Sequence, residues 1–106
     1  MDFITITTAD KQNAIADAIV VREAEIWQYQ LNIQNYTAMI AGFGPDPLSA
    51  EDAKFRDKLA ALVITEKAEQ AKSIRVLDVL KAQLPADQIV GLVTAAKQRL
   101  TPAAAV

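Results

Sequence analysis

The most regular pattern of this chain lies in residues 14–40, which read AIADAIVVREAEIWQYQLNIQNYTAMI. Isoleucine returns every seven residues, at Ile19, Ile26, Ile33 and Ile40. A seven-residue apolar repeat occupies one side of an α-helix, the a positions of a heptad. The d positions then fall on Ile15, Arg22, Tyr29 and Tyr36. The pattern predicts a long helix with one apolar seam that another helix must cover.

Capping and breaking residues on either side predict where this helix starts and stops. Thr8 offers a hydroxyl to the first free amides, and Asp10 suits the positive end of the helix dipole. No glycine or proline follows until Gly42, which predicts a helix over 9–41. The segment 42–48 contains the run GFGPDP, in which glycines permit positive φ and each proline disfavours helix at the residue before it. A turn is predicted there.

A second helix is predicted over 49–83, starting at Ser49 with Asp52 three positions later. Its apolar residues form two groups: Phe55, Leu59, Leu62 and Val63, then Ile74, Val76, Leu77 and Leu80. Between the groups only Ala68 and Ala71 are predicted to face inward. Such small residues leave room for Trp27 or the tyrosines of the first helix, which lie opposite in an antiparallel hairpin.

The rest of the chain predicts a shorter third helix and two irregular ends. Pro85 is predicted as the first residue of a helix over 85–100, with a stripe formed by Ile89, Val93, Ala96 and Leu100. Residues 101–106 are predicted to be a frayed tail. In the arm, residues 1–8, the alternation of Phe3–Thr7 suits either a single strand that pairs with another chain or an extended segment on the helices. The predicted fold is one all-α domain, 1–106, with a long antiparallel helical hairpin and a short third helix.

Composition argues against several classes of function. The formal net charge of −2 comes from acids and bases scattered along most of the chain, which disfavours nucleic acid or an anionic membrane as partner. No signal peptide and no apolar run of roughly 18 residues is visible, so we expect a cytoplasmic chain. Without cysteine or histidine, we expect no catalytic residues, no cofactor and no metal site, and therefore no enzyme. Glu66 and Glu69 are interpreted as a solvated face and Gly42-x-Gly44 as a turn.

Protein contact is the remaining class. The run Gln28–Asn35 is rich in amides, lacks charge and is interleaved with Trp27, Tyr29 and Tyr36, a composition typical of interface cores. The alternative is that the aromatics are core and the amides solvated. Likewise, the isoleucine repeat is either the inside of the hairpin or a seam between chains, where Arg22 could extend its charge to water. The predicted partner interface comprises Ile19, Arg22, Ile26, Trp27, Tyr29, Ile33, Tyr36 and Ile40.

The opening residues FITITTADKQ, followed by an alanine- and amide-rich helix, resemble the small accessory proteins that bacteriophages encode near their tail, fibre and baseplate genes. The resemblance covers at most the first forty residues and implies an oligomeric virion or assembly component. We therefore predict a non-enzymatic structural or interaction protein that self-associates as a homo-oligomer, in the cytoplasm or the virion. The alternative is a monomeric binding module, such as an adaptor, chaperone or inhibitor, that docks on a host or viral protein.

Overall fold

A computed structural model describes residues 6–101, and within them the chain is all-α. Three helices follow one another: α1 (Thr8–Ala41), α2 (Ala50–Ala82) and α3 (Ile89–Leu100). The two long helices pack as a hairpin, and no strand occurs in this range. The predicted fold class is thus confirmed. Residues 3–5 of the proposed strand and residues 102–106 of the tail lie outside the described residues.

Helix α1 starts one residue earlier than predicted because Thr7, not Thr8, is its cap. The Asp10 amide donates to Thr7 Oγ1 at 3.1 Å, and the Thr7 amide donates to Asp10 Oδ2 at 3.2 Å. The two residues form a reciprocal capping box with aspartate in the place usually taken by glutamate. At the start of α2 the Asp52 amide donates to Ser49 Oγ at 3.1 Å, so Ser49 caps as predicted.

The turn between the long helices forms without left-handed glycine. None of the three glycines, which all lie within residues 6–101, has a positive φ. The turn is present as predicted, but Gly42 and Gly44 do not use the positive φ that glycine permits. The Gly42 amide still donates to the carbonyls of Ala38 and Met39 at 3.1 and 3.2 Å. Pro45 disfavours helical backbone at Gly44, so the helix does not continue through the turn.

Two contacts hold this turn against the first turns of α2. The rings of Phe43 and Phe55 meet edge to face, with centroids 5.9 Å apart. Arg56 Nη1 donates to Asp46 Oδ1 at 3.2 Å in an exposed ion pair. Phe55 packs on the loop and remains partly in solvent, which corrects its prediction as an inward-facing core residue.

Helix α3 is shorter than predicted because Pro85 starts a separate turn. The Gln88 amide donates to the Pro85 carbonyl at 2.9 Å, an i to i+3 bond that closes a single turn. The helical ladder of i to i+4 bonds begins only with the Leu92 amide on the Gln88 carbonyl at 3.0 Å. Pro85 is therefore not the first residue of the helix, and Ile89 takes that place.

The chain divides into two compact units. The three-helix unit comprises the residues up to 24 and those from 75 onward, so it contains the start of α1, the end of α2 and all of α3. Its core is apolar and formed by Ala16, Ile19, Leu77, Leu84, Val93 and Ala96. Ala16 and Ala96 are fully buried, and such small side chains let helices approach closely.

Charged side chains fasten α3 to α1 at the edge of this core. Arg99 Nη2 donates to Asp17 Oδ1 at 2.6 Å and to the Asn13 carbonyl at 3.4 Å. Lys97 Nζ lies 3.9 Å from Glu23 Oε2. Leu100, predicted on the inward stripe of α3, is exposed.

The hairpin unit comprises Glu25–Ile74, that is the second part of α1, the turn and the first part of α2. Only two large apolar side chains in it are buried, Ile33 and Leu59. Two helices can cover only one side of each other, so the opposite sides of both helices face solvent. This geometry makes the hairpin unit the place to look for a contact surface.

Candidate interaction surface

The isoleucine repeat lies on the inward side of α1. Ile19 is completely buried in the three-helix unit, and Ile33 is buried in the hairpin unit. Ile26 and Ile40 are partly covered, as are Arg22, Tyr29 and Tyr36. The chain's own helices therefore bury Ile19 and Ile33, which offer no surface to another molecule, and cover Ile26 and Ile40 in part. Of the eight residues predicted to form a partner interface, Trp27 alone is largely exposed.

Polar side chains join the two helices where large apolar residues are missing. Gln70 Nε2 donates to Gln30 Oε1 at 3.1 Å and to the Ile26 carbonyl at 3.3 Å. Asn32 Nδ2 donates to Glu66 Oε2 at 3.2 Å. Because residue numbers rise along α1 as they fall along α2, these bonds also show the antiparallel order of the hairpin.

A third polar contact closes the end of this series at a buried serine. Ser73 is a buried polar residue, and its Oγ donates to Glu25 Oε2 at 3.5 Å. Buried polar groups that are satisfied specify how two surfaces align, because any other alignment leaves them without partners. We infer that these contacts select the register of α1 against α2.

The inward stripe of α2 differs from the predicted one. Ala68 and Ala71 are exposed, and the inward positions between Val63 and Leu77 are taken by Glu66, Gln70 and Ser73. These residues continue the three- and four-residue spacing of the stripe, whereas the alanines lie off it. Ile74 and Val76 are also exposed, against the prediction, because they flank Leu77 on the helix surface. Trp27 therefore does not pack over small residues of α2.

A second stripe runs along the solvent side of α1 in the hairpin unit. Trp27, Leu31, Gln34 and Ala38 recur at intervals of four, three and four residues and are all exposed. At 100° per residue the stripe lies about 130° around the helix from the isoleucine repeat. Exposed amides flank it on one side, at Gln28 and Asn35. We call these six residues the outer face of α1.

The outer face combines a large apolar area with a complete lack of charge. Trp27 is 63% exposed and Leu31 37% exposed. No charged residue occurs between Ile26 and Pro45. Isolated apolar side chains are ordinary on protein surfaces, but an exposed tryptophan within an uncharged stripe has the composition of an interface core.

The exposed side of α2 in the same unit is different. It carries Lys54, Asp57, Lys58, Lys67 and Lys72, and Lys72 Nζ donates to Glu69 Oε1 at 3.1 Å. Ile64 is 70% exposed here, more than Trp27, and its neighbours on the helix surface are Lys67 and the exposed alanines Ala60, Ala61 and Ala68. The exposed surfaces of the unit thus differ in charge more than in apolar content.

Other groups of side chains in the described part of the chain are weaker candidates for a functional site. Glu66 accepts a bond from Asn32 and Glu69 pairs with Lys72, so both carboxylates considered for a metal are engaged elsewhere. Within residues 6–101 no group of three acidic side chains is placed to hold a metal ion. A shallow depression beside Phe55 is lined only by the first turns of α2, and a single helix makes an open wall with no converging groups.

The sequence contained a signal for the outer face that the isoleucine repeat obscures. Trp27 follows Ile26 directly and was grouped with the repeat, although one residue turns the helix by 100°. The amide run is split in the same way: Gln30 and Asn32 contact α2, while Gln28, Gln34 and Asn35 face solvent. The spacing of Trp27, Leu31, Gln34 and Ala38 within the charge-free segment would have separated the two sides.

Among residues 6–101, no helix has both the length and the apolarity needed to cross a lipid bilayer. No family model, curated protein or solved structure matches the chain. The surface chemistry described above is therefore the basis for a functional proposal.

Proposed function

We propose that this protein is a non-enzymatic structural or interaction protein that self-associates through the outer face of α1. The observation that carries the proposal is the exposed, uncharged stripe around Trp27. It replaces the isoleucine repeat as the proposed contact surface, because the repeat is covered within the chain. A virion or assembly component is the form of this function that the resemblance of the opening residues supports.

Burial of this stripe has a free-energy gain large enough to matter. A tryptophan side chain presents roughly 150–250 Å² of surface. Since Trp27 is 63% exposed, covering this exposed part at about 25 cal/mol per Å² yields roughly 2–4 kcal/mol per chain. Leu31 adds to this gain, and no charged group on the stripe must lose its water.

The test is a measurement of mass in solution with a matched pair of variants. We expect multi-angle light scattering to show the wild type above monomer mass at tens of micromolar. Trp27→Glu places a charge on the stripe and should return the chain to monomer mass. Ile64→Glu makes the same change at a more exposed apolar residue on the charged side of α2 and should leave the assembly intact.

Circular dichroism on both variants checks that the helices persist, because both substituted positions are exposed. A wild type of monomer mass across this concentration range would overturn self-association. Equal dissociation by Trp27→Glu and Ile64→Glu would instead overturn the assignment to the outer face.

The exposure of Trp27 also favours a second candidate, a monomeric adaptor, chaperone or inhibitor that docks the same stripe on another protein. Affinity capture from a host lysate with wild type, Trp27→Ala and Ile64→Ala tests it. We expect a partner that the wild type and Ile64→Ala retain and that Trp27→Ala loses. The same set of captured proteins from all three chains would contradict this candidate.

A further inference from the structure

We propose that α3 is a strap that undocks and unfolds as one unit while α1 and α2 stay paired, and that salt and Gly91 set how often it opens. Opening uncovers the apolar core residues that Val93 and Ala96 cover in the closed state. The inference depends on how α3 is built and how it is fastened, and it does not involve the outer face of α1.

Helix α3 is weak by itself. It has 12 residues, and isolated helices shorter than about 12–15 residues are only marginally stable in water. Its first turn, which follows Gln88, has no hydrogen bond from a side-chain cap. Val90, Gly91 and Thr94 all have low helix propensity. Contact with the long helices, rather than local propensity, therefore keeps α3 helical.

The apolar contact that holds α3 is small. Its buried residues are Val93 and Ala96, while Ile89 and Leu92 are only partly covered. The free energy of apolar burial scales with area, so these side chains hold α3 less firmly than larger buried ones would. In contrast, α1 and α2 are also joined in the hairpin unit, as by Gln70, and do not depend on this core alone.

The polar contacts that fasten α3 are sensitive to salt. Arg99 Nη2 lies 2.6 Å from Asp17 Oδ1, and Lys97 Nζ lies 3.9 Å from Glu23 Oε2. The four side chains are between 36% and 59% exposed, and salt screens ion pairs of this kind. Both pairs join α3 to α1, so both break when α3 undocks. Higher ionic strength should therefore increase the open fraction.

Gly91 makes α3 easier to unfold without serving its packing. A Cβ atom placed on Gly91 would have no other atom within 4 Å, and the residue does not have a positive φ. Alanine therefore fits at this position. It should favour the helical state of α3 by about two- to fivefold over glycine. We expect Gly91→Ala to keep the strap closed.

Hydrogen exchange of the full-length chain, followed by mass spectrometry, tests the strap. When closing is faster than exchange, a protection factor measures the ratio of closed to open states. We expect residues 92–100 to have lower protection factors than residues 16–24 of α1, and to lose protection several-fold from low to high salt. Equal protection and an equal response to salt in both segments would overturn the inference, because α3 would then open only with the whole unit.

Two variants and a control separate the strap from general stability. Gly91→Ala should raise the protection of residues 92–100 by about two- to fivefold and leave residues 16–24 unchanged. Arg99→Gln should lower it by up to about fivefold at low salt and by less at high salt. The control is Arg56→Gln, which removes the exposed pair with Asp46 in the hairpin unit and should not affect α3. An equal rise in both segments for Gly91→Ala, or the same loss in α3 for both arginine variants, would overturn the strap.

Discussion

The helices of the three-helix unit and those of the hairpin unit are held together by different kinds of residue. In the three-helix unit, α3 adds Val93 and Ala96 to Ile19 and Leu77, and the enclosed core is apolar. The hairpin unit has no third helix, and only Ile33 and Leu59 are buried large apolar residues in it. Its helices are also joined by side-chain hydrogen bonds, among them those of Gln70 and Ser73. In this chain, the unit with three helices has the larger apolar core, and the unit with two helices adds side-chain hydrogen bonds between them.

The same difference explains where the candidate surface lies. Three helices can enclose an apolar core, but two helices leave one side of each uncovered. On α2 that side is charged, as at Lys67 and Lys72, and is compatible with water. On α1 it is the outer face around Trp27, which carries no charged residue. An unusual surface of this kind is what self-association or docking would use.

The largest expected effect on stability is in the apolar core of the three-helix unit. Ile19→Ala removes a completely buried side chain and should lower the free energy of unfolding by roughly 2–5 kcal/mol. Urea denaturation followed by circular dichroism measures the change. Val21→Ala is the control, since Val21 is exposed two residues further along the same helix and should cost far less. Equal losses in the two variants would show that Ile19 is not a core residue.

A smaller effect on stability is expected at the side-chain hydrogen bonds of the hairpin unit. Gln70→Ala removes two hydrogen bonds, to Gln30 and to the Ile26 carbonyl, and should cost about 1–3 kcal/mol at roughly 0.5–1.5 kcal/mol per bond. The same denaturation experiment applies. Lys67→Ala, at an exposed position of the same helix, should be nearly neutral. A Gln70→Ala chain as stable as Lys67→Ala would contradict a structural role for the amides.

The smallest effect sharpens the contrast between charged and neutral contacts. Arg99→Gln removes the 2.6 Å ion pair with Asp17 and should cost up to about 1 kcal/mol at low salt and less at high salt, because the pair is partly exposed. Lys97→Gln is the comparison, since its 3.9 Å pair with Glu23 should contribute less. Unfolding curves at low and high ionic strength check both. A loss for Arg99→Gln that is insensitive to salt would point to packing of the side chain instead.

Sequence reasoning succeeded where the signal is local. Gly42 and the following prolines mark the turn, Ser49 caps α2, and the isoleucine repeat identifies α1 as one long helix with an apolar seam. These features depend on neighbouring residues within a few turns of the chain. It was wrong where two local signals compete, as at Thr7 and Thr8 or at Pro85, because only the final hydrogen bonds select between adjacent positions.

The faces of the helices were harder to predict. Ala68 and Ala71 were expected inside and are outside, and Trp27 was grouped with the isoleucine repeat although it faces solvent. An amide or a serine has no apolar signature, so the inward positions of Gln70 and Ser73 could not be found from hydrophobic spacing. Their role depends on partners about forty residues away along the chain.

The sequence by itself determined that this protein is all-α, where its long helices turn, and which segment is without charge. Local propensity and heptad spacing are properties of neighbouring residues, so they are present before the chain folds. The tertiary structure alone decided which side of α1 is covered and therefore that the surface left for contact is that of Trp27, Leu31, Gln34 and Ala38. That outcome depends on how many helices surround each part of α1, which only long-range packing fixes.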